Sequence, residues 1–320
     1  MDATGSTNAT GSEATHIDAT HGDSTGSTNA TDDTTHRFAV GDLQCIALSD
    51  GMNHYDAGIF FADADPAAVE RALAEHTLAE RATAPDDIPS PYTCLLVETG
   101  RHRVLVDTGG GHMAPGVGRL QISLAAASLH PADIDIVILT HGHADHIGGN
   151  VDASGAPAFP NARYVMARAE WEFWTPANLP AAVPELFRDT AARNLPPIAD
   201  RVDLVDGEAE VAPGVFVLPA PGHTPGHVAV VVQSRGEELL YVSDSFLHPI
   251  HLEHPDWHPI FDVDPAGALG SKRMLCERAA ANHSLVAAYH FDPFPGLGHI
   301  SARGRGWAWE PIERETRPTS

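Results

Sequence analysis

From Arg37 onward, short apolar runs alternate with polar, turn-forming segments, and each run has the length of a buried strand or of one face of a helix. Residues 38–48 predict a strand or hairpin. The stretches 93–98 and 104–107 predict strands paired around a turn at Gly100. Residues 134–139 are apolar apart from Asp135, and the unbroken core of the run, 136–139, is the signature of a strand covered on both faces. Further strands are predicted at 163–167, 202–205, 215–218, 228–232, 239–243 and 285–289. Helical spacing marks 118–129, 169–174, 184–194 and 265–282. A helix over 66–81 is announced by Asp65-Pro66, an N-cap followed by a proline in the first turn. Strands interleaved with helices, without a second linker, predict one α/β domain over residues 37–320.

The pattern fails before Arg37. Residues 1–36 are Thr, Ser, Gly, Asn, Asp and His with almost no large apolar side chain, and the heptapeptide T-G-S-T-N-A-T occurs twice. Such a segment cannot bury enough apolar surface to offset its ordering entropy, so a disordered, low-complexity acidic tail is expected. No basic segment is followed by an apolar one, which predicts a chain without signal peptide and a cytoplasmic location. No run is long enough to span a membrane.

Charge narrows the partners. The 320 residues hold 43 Asp and Glu against 19 Lys and Arg, a net charge of −24, and removing the six acidic residues of the tail still leaves −18. A field of that sign repels polyanions, so nucleic acid is excluded as a partner and neutral small molecules are favoured. The three cysteines are far apart, form no metal pair and read as small core residues.

Chemistry concentrates directly after the apolar run 134–139, in T-H-G-H-A-D-H-I-G-G, where His141, His143, Asp145 and His146 fall within six residues. Along an extended segment His141 and His143 point to one side, and a turn into a helix near Ala144 swings Asp145 and His146 toward a second point. His223 in P-G-H-T-P-G-H, Asp244 in Y-V-S-D-S and His290 in A-A-Y-H-F each follow an apolar strand. A nitrogen and oxygen donor set without sulfur suits zinc, with Mn, Fe or Co as alternatives. His227 and His299 read as turn-stabilising or supporting residues. His248, His251, His254 and His258 read equally as surface or pocket-lining groups.

At these residues the chain resembles the metallo-β-lactamase-fold hydrolases, over residues 38–300. G-H-T-P-G-H, L-E-H-P-D-W and H-F-D-P-F-P-G-L-G-H look most like the branch of methyl parathion hydrolase and related lactonases. The resemblance implies a four-layer αββα sandwich and two divalent metal ions. It implies one ion on His141, His143 and His223, the other on Asp145, His146 and His290, with Asp244 bridging both and Asp107 of L-V-D-T-G orienting ligands from behind. It also implies a bridging hydroxide that cleaves a lactone, aryl ester or phosphotriester, with Asp244 fixing the metal spacing and Asp145 steering the water's proton. Thioester or sulfate-ester hydrolysis on the same centre is the enzymatic alternative, and a non-catalytic metal-binding module the alternative of another class. Trp174, Phe246 and Phe294 are the residues expected to line an apolar substrate entrance, and a homodimer is a candidate assembly.

Overall fold

A computed structural model describes residues 34–76, 84–175, 179–180 and 182–312. The first hairpin pairs β1 (Thr35–Val40) with β2 (Leu43–Tyr55), then α1 (Ala57–Phe60) and α2 (Pro66–Glu75) lead to β3 (Ile88–Glu98) and β4 (Arg103–Val106). After α3 (Leu120–Ala126) come β5 (Ile136–Ile138), α4 (Ala144–Ile147), β6 (Arg163–Ala167), α5 (Arg168–Trp174), α6 (Glu185–Asn194) and β7 (Val202–Val205). The second half runs β8 (Ala209–Ala212), β9 (Val215–Pro219), β10 (Val228–Ser234), β11 (Glu237–Tyr241), α7 (Ile250–Glu253), α8 (Pro265–Asn282), β12 (Leu285–Ala287), β13 (Leu297–Arg303) and β14 (Gly306–Pro311). β1 to β7 make one seven-stranded sheet in chain order, and β14 back to β8 make a second. With α3 packed on β2, α5 on β6 and α8 on β11 and β13, the layers are αββα.

β10 shows how sequence dictates this layering. Val228, Val230 and Val232 join the main core shared with Ile46, Leu48 and Leu96 of the first sheet. Ala229 and Val231 turn outward to meet Leu275, Cys276 and Ala279 of α8. Alternate side chains of one apolar run thus serve two interfaces, which is why the run is continuous. Three buried free cysteines are part of this packing.

Several boundaries differ from expectation. Thr35 and His36, assigned to the tail by composition, pair with Leu48 and Ala47; the rest of the predicted tail, to residue 33, lies outside the described residues. The helix opened by Asp65, whose carboxylate accepts from the Ala67 N–H, ends at Glu75; residues 77–81 of that expectation lie outside the described residues. β8, β13 and β14 were not foreseen. Among the described residues no helix is long and apolar enough to cross a membrane.

Candidate metal centre

β4, β5 and β6 run parallel, so their C-terminal ends share one edge. Asp107 follows β4, and residues 141–146 follow β5. In the facing sheet the turn 221–227 follows β9, Asp244 follows β11 and His290 follows β12. These loops meet across the sandwich: the Val228 N–H donates to the Thr140 carbonyl at 3.1 Å, and the Tyr289 hydroxyl donates to the Asp145 carbonyl at 2.6 Å.

All seven sequence-nominated donors converge. His141, His143, His223 and Asp244 place one donor atom each within 4.8 Å of one another, and so do Asp145, His146, Asp244 and His290. Asp244 divides its oxygens between the sets. Its Oδ1 lies 3.0 Å from His146 Nε2 and 3.4 Å from His290 Nε2, while its Oδ2 lies 3.4 Å from His223 Nε2 and 3.8 Å from His141 Nε2. Asp145 Oδ2 is 3.3 Å from His290 Nε2, and His143 Nδ1 is 2.9 Å from His223 Nε2.

Behind this cluster, other groups fix which nitrogen faces it. Asp107, fully buried, is 2.8 Å from His146 Nδ1 and accepts the Thr140 N–H at 2.9 Å and the Tyr241 hydroxyl at 3.2 Å. Asp107 and Ser243 hold positive φ angles of 62° and 46°, conformations a non-glycine residue keeps only where its surroundings over-determine it. Asp262 Oδ1 is 2.8 Å from His223 Nδ1, and Lys272 Nζ stands 3.7 Å from Asp262 Oδ2. Ser90 Oγ is 2.9 Å from His290 Nδ1. His227 donates to the Ala220 carbonyl through Nδ1 and accepts the Asp244 N–H at Nε2; burial, with His223 beside it, lowers it to about 3.

Electrostatics divide the donors. Burial, then the neighbouring His146, holds His141 well below the usual imidazole range, and burial with His223 does the same to His143. Burial also opposes charge on His146, but Asp244, Asp145 and Asp107 raise it well above that range. Burial of His223 is outweighed by Asp244 and Asp262, which lift it to about 9. Against its own burial, Asp244 is held well below the carboxylate range by His146 and His290.

A divalent ion fits this donor set. His141 Nε2, His146 Nε2 and Asp244 Oδ1 are buried without a hydrogen-bond partner, an arrangement that costs free energy unless something satisfies it. Imidazole and carboxylate donors, three of the imidazoles oriented from behind by Asp107, Asp262 and Ser90, are what zinc and its neighbours take.

A cavity of about 430 Å³ opens onto His143, Asp145, Asp244 and His290. Its apolar wall is Ile59, Phe60, Met113, Leu186, Phe187, Leu247 and Phe261, and Asn53, Tyr55, Ser90 and Glu185 add polar groups. The Tyr55 hydroxyl is hydrogen-bonded to that of Tyr92. The expected lining differs. Phe246 is buried in the α8-side core with Leu252 and Leu275, Trp174 is buried behind His143 with its indole 5.5 Å away, and half-buried Phe294 lies outside this lining. Phe187, stacked on His143 at 4.3 Å, and Phe261 take the place foreseen for them. None of His248, His251, His254 and His258 lines the cavity; His251 is buried and its Nε2 lies 2.9 Å from the Phe60 carbonyl.

The family profile described as Metallo-beta-lactamase superfamily matches residues 87–290, well over half of the sequence, and the chain belongs to that superfamily. The N-acyl homoserine lactonase of Bacillus thuringiensis is 28% identical over 232 residues, spanning 65% of this chain and 84% of that protein. Among solved structures, AidC, a dizinc quorum-quenching lactonase in complex with a product, aligns with a TM-score of 0.80 at 28% identity, covering 89% of this chain and 100% of AidC. The hydrolase AbOPH of the beta-lactamase superfamily aligns with a TM-score of 0.79 at 25% identity, covering 88% and 98%. Two donor sets in one cluster and a dizinc neighbour at this similarity support two divalent metal ions per chain.

Proposed function

We propose that this enzyme, a metal-dependent hydrolase of ester bonds, acts on neutral esters and prefers lactones that carry an apolar acyl chain. The observation that carries the reading is the divided Asp244 carboxylate, one oxygen toward each donor set, at the floor of a mostly apolar cavity. We assign His141, His143 and His223 to one ion, Asp145, His146 and His290 to the other, and Asp244 to both. Zinc is the ion assigned, on the donor set and the dizinc neighbour. Bound divalent ions supply Lewis acidity toward a carbonyl or phosphoryl oxygen and acidify water to near neutrality.

The chain's own groups do the rest. Asp145 borders the cavity, so its carboxylate is placed to take a proton from an attacking water and return it to the departing alkoxide. Phe187, Phe261, Leu186 and Met113 offer an acyl chain an apolar surface and keep bulk water from the reacting centre. The relatives support the substrate class: the Bacillus thuringiensis protein is an N-acyl homoserine lactonase and AidC a quorum-quenching lactonase.

The test joins metal quantification to a substrate panel of acylated lactones, unsubstituted lactones, aryl esters, phosphotriesters, thioesters and sulfate esters. The expected result is two zinc ions per chain and kcat/KM for long-chain acyl lactones about tenfold or more above every other class, the discrimination a few buried methylenes give. Phe261→Ala should then raise KM for long chains and leave short ones unchanged, at full metal content. Faster turnover of phosphotriesters would overturn the substrate assignment, and a metal-loaded chain inert across the panel would return the protein to the class of binding modules.

A further inference from the structure

Glu170 is fully buried on α5, in the first turn of the helix that the sequence marks over 169–174. Its Oε1 accepts the Gly142 N–H at 2.9 Å and the Trp174 indole N–H at 2.6 Å, and its Oε2 accepts the Gly226 N–H at 2.8 Å. Gly142 lies between His141 and His143. Gly226 lies in the turn that carries His223. One carboxylate therefore ties together two loops from opposite sheets, and those loops bear all three histidines assigned to the first ion. Both glycines are sterically required: a side chain at Gly142 would run into the Trp174 indole, and one at Gly226 into the Glu170 backbone. None of these three hydrogen bonds reaches Asp145, His146 or His290.

We infer that Glu170 is a positioning residue for the His141, His143 and His223 ligand set, holding the two loops at the separation their imidazoles need to share one ion. A charge-assisted acceptor suits this task, since each N–H bond to a carboxylate is stronger than one to a neutral group. A glutamine at this place keeps the shape but presents an amide N–H₂ to one of the N–H donors, so one loop is released. The inference rests on the ligand assignment above. It extends that assignment from the residues that touch the ion to the one that spaces them.

The test measures zinc affinity by competition with a chromophoric chelator, in the full-length chain, with each ligand set isolated. His290→Ala weakens the second set and leaves the first to be read; His223→Ala does the reverse. Glu170→Gln in the His290→Ala chain should raise the dissociation constant about 10- to 100-fold, and in the His223→Ala chain by no more than about threefold. Trp174→Phe, which removes one of the three donors and keeps the carboxylate, should act in the same direction with a smaller factor, and decides the matter alone if Glu170→Gln does not fold. Equal weakening of both sets, the mark of a general packing role, would overturn the inference, as would unchanged affinity of the first set. If the unmutated chain binds fewer than two ions, the ligand assignment itself falls, an outcome separate from either of these.

Discussion

At the scale of single residues, the centre depends on groups that hold a donor in one orientation. An imidazole offers a lone pair at one nitrogen only when the other carries its proton, and the partner of that second nitrogen decides which is which. Asp107 is placed to do this for His146, 2.8 Å away, while also accepting from Thr140 and Tyr241. Asp107→Asn keeps the shape but can present N–H toward His146 Nδ1, favouring the wrong tautomer. Zinc affinity of the Asp145, His146 and His290 set should fall about 10- to 100-fold by chelator competition. Undiminished affinity would remove Asp107 from this role. The donors were legible in sequence because a short spacing and three strand-end positions carry them. Glu170, Asp262 and Lys272 were not, since nothing in R-A-E-W-E-F-W or in the chain's single lysine shows what a fold will bring near. The same holds for Trp174 and Phe246: composition marks an aromatic, while only packing decides whether it faces a cavity or a core.

At the scale of elements, the runs with strict apolar continuity were the ones read correctly. β5 and β10 announced themselves because both faces are covered, and α8 was marked by helical spacing; the structure adds its cap, Asp264 accepting the Gly267 N–H. β13 and β14 escaped because their burial is partial and their residues, Gly, His, Arg and Trp among them, follow no alternation. What attaches α8 to its sheet is polar as well as apolar. Glu238 of β11 accepts from Arg278 at 2.8 Å, Ser284 at 2.6 Å, Asn282 at 3.1 Å and Gln233 at 2.7 Å. Partial burial would raise its carboxyl, yet those hydrogen bonds hold it down to about 2, against an ordinary value of 4.5. A carboxyl depressed in the folded state stabilises above its unfolded value and loses that contribution as the pH drops through the folded one. Glu238→Gln should therefore cost about 1–2 kcal/mol at pH 7, allowing for solvent screening. The difference from the unmutated chain should shrink between pH 4.5 and pH 2, and urea unfolding of both proteins across that interval measures it. A gap that stays constant with pH would show that the glutamate acts through shape alone.

At the scale of the whole molecule, the donors come from both sheets: His141, His143, Asp145 and His146 from the first, His223, Asp244 and His290 from the second. Ions held by such a set cross-link the halves of the sandwich at one edge, adding to direct hydrogen bonds such as Val228 to Thr140 and Tyr241 to Asp107. Without cations the same edge concentrates the buried carboxylates of Asp107, Asp145, Asp244 and Asp262, whose charge His146, His223 and His290 answer by taking protons. Ligands that bind only the native state stabilise it by an amount that grows with occupancy, about 4 kcal/mol for one site at a thousandfold excess over its dissociation constant. For a chain of this size each kilocalorie moves the midpoint by about 2 °C, so two sites together give a shift of about 16 °C. Dialysis against a chelator should lower the thermal midpoint by that much, and returning two equivalents of zinc should restore it. Because the cross-link lies at one edge, hydrogen exchange in the chelated protein should quicken most in residues 140–147, 221–227 and 243–247, and least in the inner strands β3 and β10. A midpoint indifferent to chelation, or exchange that quickens evenly across both sheets, would show that the sandwich is held together without its metals.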